Sequence, residues 1–577
     1  MRLSARLFVL LGLLTLTNPL AAQQPKPVIP HAQDKPPNDP RDPETAAKLM
    51  TVPEGFTVEV VAAEPDIVNP VAMAIDERGR FWVTESLEYP RREPGPGKDR
   101  VKILEDTDGD GRMAKFTVFL DGLNIPSGIA VGHGGVWVVN APDILFVQDT
   151  DGDGKADKQE VVVTGFGRAD THELPNSLTW GPDGWLYGLN GVFNYSHVKY
   201  PKTNPNYKED HKGWPLTCAM FRIHPRTREF QVFCEGTSNP WGIAFNNEGE
   251  AFVSACVIDH LWHLAETGYY HRQGGPYPPF TWKIESIVKH KHQKAAYCGI
   301  HYFDSDAYPE QYRNKLYMGN IHGGCLNVDR VERDGSTYKG IGEPDFLTAN
   351  DAWFMPVVQK TGPDGSLYVL DWYDRFHCYQ DANRDPAGID RLKGRLYRVR
   401  YKDTPRVPKD FDLAKETDAQ LTDRLGAKND FIRWTATRLL QERLAEPDKQ
   451  RLTNFVYGLT PFEFRAANQE LRRFHASCVV AALPYDGRFV GESPALRALH
   501  LRVAGNSPIG RQMLQQEVDE IDDWSSLKED DPRVLLQQVI LLGKLNPSRN
   551  VIRFMFEVLV RGERDPLLPR IFWQNIH

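Results

Sequence analysis

No CxxC or CxxCH segment occurs in the 577 residues, which excludes a c-type haem attachment motif and the usual thiol-redox motif within this chain. Cysteine itself is scarce. Of the seven (Cys218, Cys234, Cys256, Cys298, Cys325, Cys378, Cys478), six fall before Tyr401, where burial as small hydrophobes is the simplest reading. Spacing does not say which would pair in an exported protein. Concentrated basic patches are also missing and the formal net charge is -8, so a nucleic-acid surface is excluded. Beyond the N-terminal leader, no apolar run is long enough to cross a bilayer.

What is present is an ordinary globular balance of 41% hydrophobic and 25% charged residues, with 46 Gly and 42 Pro pointing to many turns. The length predicts two or three domains. Arg2 and Arg6 precede the apolar run Leu7 to Leu16, and Ala21-Ala22 offers a small-residue cleavage site. This predicts a signal peptide over 1–22 and export to the periplasm or cell envelope. Residues 23–50, rich in Pro, Asp and Lys, read as a solvated linker.

The segment Thr171 to Gly191, THELPNSLTWGPDGWLYGLNG, reads as a histidine-bearing loop, a strand, a Pro-Asp-Gly turn and a second strand. Imperfect copies begin at Pro70, Pro126, Pro240 and Pro356, and a further one spans Ala295 to Asn320. Six hairpin units at intervals of roughly 50 to 60 residues predict a six-bladed β-propeller over 51–403, because one small blade cannot bury its faces alone. The early strand FTVEVV and the late strand RLYRVRY (Arg395 to Tyr401) are expected to share a blade and latch the ring. From 404 to 577 the pattern turns helical. Ile432, Ala436, Leu439, Leu440 and Leu444 share one helical face, and PRVLLQQVILLGKL repeats the pattern, so an all-α HEAT-like array is expected. It ends in a helical pattern without a polar cap, and further repeats or another domain are expected beyond it.

Two loops carry alternating aspartates with glycine at the sixth place, which suits a hard cation such as Ca²⁺. The second supplies Asp149, Asp151, Asp153, Asp157 and Glu160; the first supplies Asp106, Asp108 and Asp110, but has Thr117 at the twelfth place. Acidic hairpin turns without metal remain the alternative. His172 precedes a blade hairpin, a position that faces a propeller's central mouth, where an imidazole can take a hydroxyl proton as hydride leaves. A hydrogen-bonded loop histidine is the other reading. His260, His263, His271, His290, His292, His301, His322 and His377 crowd the second half. Three brought together by blade loops would hold a transition metal, while solvated KHKH and packed aromatic-histidine loops are the plainer alternatives. Asp371-Trp372-Tyr373-Asp374 closes the sixth hairpin with acid and aromatic groups of the kind that line sugar-binding surfaces.

VPEGFTVEVVAAEP, the two DTDGDG loops, SNPWGIAF, YMGNIHGGCLNVDRVERDG, TGPDGSLYVLDWYD and GRLYRVRY carry a family resemblance. The stretch from about Thr51 to Asp403 resembles the membrane-bound dehydrogenases of planctomycete-like bacteria, which are similar to soluble quinoprotein glucose dehydrogenase and sorbosone dehydrogenase. Residues 421 to 444 look like the HEAT-type segment that follows in that family, whose longer members end in a cytochrome c domain. The resemblance implies His172 as catalytic base, and Asn239 and His322 at positions that touch pyrroloquinoline quinone. It also implies cations where this chain has Ser238 and Met355, and their loss should weaken binding of a trianionic quinone.

Two functions follow. One is an exported dehydrogenase that oxidises a sugar or alcohol and passes electrons to a cytochrome. The other is a calcium-stabilised scaffold that holds a glycan or protein, with a further protein partner on the helical repeats. Haem held by the scattered histidines is a third idea.

Overall fold

The computed structural model describes residues 38–292, 296–374, 392–444, 455, 469–483, 493–521 and 529–577. The leader, most of the linker, His377 and Cys378 lie outside these residues. Six sheets succeed one another along the chain and form the six blades of a propeller. Blade one holds Pro70–Ile75, Phe81–Glu85, Asp99–Glu105 and Lys115–Leu123. Blade two holds Gly128–Gly132, Gly135–Asn140, Asp143–Gln148 and Lys158–Val163. Blade three begins with Asn176–Trp180 and Leu186–Asn190, blade four with Asn239–Phe245 and Ala251–Cys256. Blade five begins with Tyr297–Phe303 and Lys315–Asn320, blade six with Pro356–Thr361 and Leu367–Asp371.

The ring closes through blade six. Phe56–Ala63 adds to Arg395–Tyr401 in antiparallel register, with Phe56 opposite Tyr401 and Val60 opposite Tyr397. The expected latch is therefore present, and it joins the two ends of the propeller by backbone hydrogen bonds. Second strands are packed on both faces, which is why they read as unbroken apolar runs: FWVTE, LYGLN and LYVLD are buried at every position.

Blade four departs from the four-stranded expectation. Its sheet has three strands among the described residues, and Tyr269–Arg272 instead pairs in parallel with Phe230–Thr237 of blade three. Gly236 permits this. Its φ is +108°, and a Cβ there would lie 2.3 Å from the Tyr270 carbonyl oxygen.

Several hairpin turns carry an Asp or Asn that caps the next strand, as turn chemistry favours. Asp76 accepts from the Arg78 and Arg80 amides at 3.0 Å, Asn246 from Glu250 at 2.9 Å, and Asp364 from Ser366 at 3.1 Å. These turns mark the end of the propeller opposite the first-strand starts, and the helices dock on them. On helix Asp430–Leu444, Arg433 bonds Asp304 at 2.7 Å, Arg438 bonds Glu77 at 2.7 Å, and Glu442 accepts from the His133 amide at 2.9 Å. Arg533, at the start of Pro532–Leu542, reaches Glu248 at 3.0 Å, and Arg502 of Pro494–Asn506 reaches the Gly249 carbonyl at 3.2 Å. Beside these polar contacts, Leu535, Val539, Ile571 and Phe572 share one buried cluster with Phe245, Trp262 and Leu264 of the propeller. Among the described residues the helical region thus caps one end of the ring and does not cover the other. No helix among the described residues is long and apolar enough to cross a membrane.

Candidate functional site

The open end is built from the residues that enter each blade's first strand. A cavity of ≈ 160 Å³ lies there, and His172, Asn239, His322 and Met355 all line it. Sequence reasoning placed the first three at one site, and the structure brings them together. A narrower cavity below shares Val71, Ser127, Trp241 and Val357 with the mouth. It in turn shares Met73, Ile129, Ile243 and Lys360 with a cavity against helix Asp430–Leu444. Three cavities thus follow one another from the mouth to the helical cap, neighbours sharing lining residues.

The loop holding His172 is tied at several points. Asn194 accepts from the Asp170 amide at 2.9 Å and donates to the Asp170 carbonyl at 2.7 Å. Asn176 donates to the Leu174 carbonyl at 2.9 Å and to Pro240 at 3.1 Å, which links this loop to the segment carrying Asn239. Gly191 packs so tightly on the loop that a Cβ there would lie 2.1 Å from that of Glu173.

Within that frame Asp170 Oδ1 meets His172 Nδ1 at 2.8 Å and also accepts the His172 amide at 2.9 Å. Burial alone would raise the Asp170 pKa, but the bonds and charge of His172 hold it below the usual value. A carboxylate on Nδ1 fixes the ring and leaves Nε2 as the atom to exchange a proton, the orienting arrangement of a general base. The signal for Asp170 was the Asp-Thr-His spacing, legible but not singled out. Tyr89 stands between His172 and Trp372, with ring centroids at 5.4 and 5.6 Å. Trp372 is held by its indole N–H on Asp374 at 2.9 Å. With Trp241 these rings give the mouth aromatic walls. Of the DWYD segment only Trp372 faces the mouth, because Asp371, Tyr373 and Asp374 are buried behind it.

Three buried carboxyls surround the mouth without an ion-pair partner among the described contacts. Burial pushes Glu173 up to about 8, Asp371 to about 7 and Asp99 to about 6. Each accepts backbone amides instead: Phe193 at 2.7 Å for Glu173, Met355 at 2.8 Å for Asp371, and Ile125 at 2.6 Å for Asp99. They pin the chain where it enters the mouth.

The acidic loops lie away from this site. Asp106, Asp108 and Asp110 converge within 4.8 Å, as do Asp149, Asp151 and Asp153. Asp157 turns to Thr150, accepting its amide at 3.0 Å and its hydroxyl at 2.8 Å. Glu160 pairs with Arg228 at 3.2 Å, so it stands apart from the three-aspartate group. The remaining histidines divide. His263 is packed against Glu250 and Thr337, and His301 bonds Thr361 at 2.6 Å. KHKH is not a solvated tract: His290 and His292 turn inward to meet His260 around Asp329.

A six-bladed propeller with an aromatic-walled, histidine-bearing mouth and a helical cap on the opposite end is the class these features define. The model of the family described as Domain of unknown function (DUF7133) matches residues 42–403, more than half of the chain, and the protein belongs to that family. No curated protein matches the sequence. Among solved structures, the chain is similar to a glucose dehydrogenase-type oxidoreductase from Thermus thermophilus, at 19% identity over 60% of this chain and 100% of that one, with a TM-score of 0.41. It is also similar to the PQQ-bound aldose sugar dehydrogenase of Streptomyces coelicolor, at 13% identity over 60% and 100% of the two chains and a TM-score of 0.38. The holo PQQ domain of pyranose dehydrogenase from Coprinopsis cinerea gives 14% identity over 61% and 97%, with a TM-score of 0.37.

The described mouth residues do not fit a tricarboxylate quinone. No Lys or Arg lines the cavity among them. Ser238 is buried and donates to Gln273, and Met355 is buried in the apolar wall. Asn239, His322 and the aromatic rings suit a neutral, hydroxyl-bearing ring instead.

Proposed function

We propose that the propeller mouth binds a sugar or related alcohol and that His172, oriented by Asp170, takes a proton from its hydroxyl as the substrate is oxidised. The observation that carries this reading is the 2.8 Å contact between Asp170 and His172 Nδ1 inside an aromatic-walled cavity. Trp372, Trp241 and Tyr89 would take the apolar face of a pyranose or polyol, while Asn239 and His322 would bond its hydroxyls. Proton removal by a positioned imidazole contributes about 10²–10⁴-fold to a rate. The hydride leaving the carbinol carbon would pass to a diffusible two-electron acceptor of the quinone or dye class. That acceptor is reduced to its quinol form while the alcohol becomes a carbonyl and the His172 proton returns to water. The described residues supply no cation to hold pyrroloquinoline quinone as that acceptor.

The basic-then-apolar leader supports export to the periplasm or cell envelope, where electrons would pass to a cytochrome partner. The two aspartate triplets support Ca²⁺ in a stabilising role, because they lie away from the mouth.

A second reading is a non-catalytic scaffold that holds a glycan in the same mouth, favoured by the lack of Lys and Arg among the described lining residues. Dye-linked oxidation of a panel of aldoses, polyols and alcohols by the purified chain, with and without added pyrroloquinoline quinone, separates the two. Turnover with any of them supports the dehydrogenase. Calorimetric binding of sugars with no turnover under either condition overturns it in favour of the scaffold.

A further inference from the structure

We propose that His260, His290, His292 and Asp329 form a zinc-class divalent metal site, separate from the acidic loops and from the mouth. Three separate segments supply it. His260 precedes the third strand of blade four, Asp329 lies in the middle of Cys325–Asp334 in blade five, and His290 and His292 come from the crossing between those blades. All four ligand atoms lie within 4.8 Å of one another.

The three imidazoles converge on one carboxylate. Nε2 of His260 and of His290 each lie 2.7 Å from an Asp329 oxygen, and that of His292 lies at 3.3 Å. The three ring centroids form an equilateral triangle, each pair 5.1 Å apart. Three imidazoles bound tetrahedrally through nitrogen at about 2.0–2.1 Å would place their ring centres about 5 Å apart. The carboxylate faces all three nitrogens and takes the fourth place. Three neutral imidazoles and one carboxylate suit Zn²⁺ or a neighbouring divalent ion better than the hard cations of aspartate loops.

The surroundings agree. Asp329 is fully buried in a strand, where a carboxylate is costly without strong partners. Gly342 stands opposite Asp329 on the paired strand, and a Cβ there would lie 2.8 Å from the His290 ring. The absence of a side chain at that position makes room for the ligand. Tyr297 stacks on His260 at 4.9 Å and lines the mouth, so the site backs one mouth wall. Four protein ligands leave no open position, the pattern of a structural metal that clamps two blades and their crossing together.

The test uses the purified full chain. Metal analysis as isolated comes first, then removal with a chelator and titration with ZnCl₂ and CoCl₂. The expected result is one equivalent of zinc or cobalt bound in excess Ca²⁺, with the visible absorption of a tetrahedral N₃O cobalt centre and a lower Tm after chelation. His290→Ala and His292→Ala, on the more accessible side, should each weaken metal binding by more than about tenfold, since loss of mere outer partners costs 10–100-fold. His271→Ala, outside the cluster, should not. If either variant fails to fold, the wild-type titration still decides. Absence of zinc and cobalt binding, with Tm indifferent to the chelator, overturns the proposal; so does metal binding that survives both ligand variants.

Discussion

Buried carboxylates that meet the cap and three that surround the mouth are held differently, although Glu85 and Asp170 at the mouth end are also paired and Asp76 and Asp364 under the cap are also raised by burial. Those that meet the cap face cations: Asp304 with Arg433, Glu77 with Arg438, and Glu266 with Arg222 and Lys544. Burial alone would raise Glu250 and Glu266, but His263 and Arg502 beside the first, and Arg222 and Lys544 beside the second, bring both down to about 2. At the mouth Glu173, Asp371 and Asp99 accept backbone amides and form no ion pair among the described contacts, and burial raises all three. Perturbed carboxyls without compensating charge gather at functional sites, whereas paired ones gather at interfaces that only need to hold. The contrast accords with the proposal that chemistry lies at the open end.

A large loss of stability is expected at the cap. Arg433 is fully buried, so Arg433→Ala leaves Asp304 without its cation and should cost about 3 kcal/mol in denaturant unfolding. Sugar binding at the mouth should be unchanged within about twofold. A variant that lost mouth binding while keeping its stability would break the division between the ends.

The pH dependence sharpens the same contrast. Glu173 has a raised folded pKa, so its contribution to stability is present at low pH and falls away as pH rises from about 4.5 through about 8. Glu173→Gln should therefore be more stable than wild type at pH 9, by on the order of 5 kcal/mol, and close to it at pH 4. Glu250 and Glu266 have lowered folded pKa values, so their stabilisation is complete above about 4.5 and is lost as pH falls through about 2. Thermal melts of wild type and Glu173→Gln across pH check each sign.

Trp372→Ala, which removes one aromatic wall, should weaken sugar binding about tenfold by calorimetry, and because Trp372 is itself buried in a core cluster it should also lower Tm. The smallest effect is expected at the second acidic loop. Asp149→Asn with Asp151→Asn should abolish a Ca²⁺-dependent rise in Tm worth about 1 kcal/mol, with no change at the mouth.

Much of the fold was legible because each blade repeats a local signal. Pro-Asp-Gly and its variants mark turns, second strands buried on both faces read as continuous apolar runs, and the FTVEVV and RLYRVRY pair announced the latch. The parallel strand Tyr269–Arg272 was not legible, since it depends on the close approach of Gly236 to Tyr270 across separate segments. Helix Asp430–Leu444 shows why its apolar face predicted a helix but not its partner. Its propeller side is carried by Arg433, Arg438 and Asp430, polar groups that periodicity assigns to solvent. At the site, His172 was found by its place before a blade hairpin, and Asn239 and His322 through the family resemblance. Asp170 was missed although only one residue separates it from His172. Asp329 was missed because a carboxylate on a strand reads as an outward position until the three histidines around it are seen in space.

The central claim is that the chemistry rests on His172 at the open end. The measurement that tests it most directly is dye-linked turnover of the best sugar substrate by wild type and His172→Ala, with calorimetric binding of the same sugar. A rate lower by about 10²–10⁴-fold, with binding retained within a few-fold, is the predicted result. Equal turnover in the two proteins would contradict it.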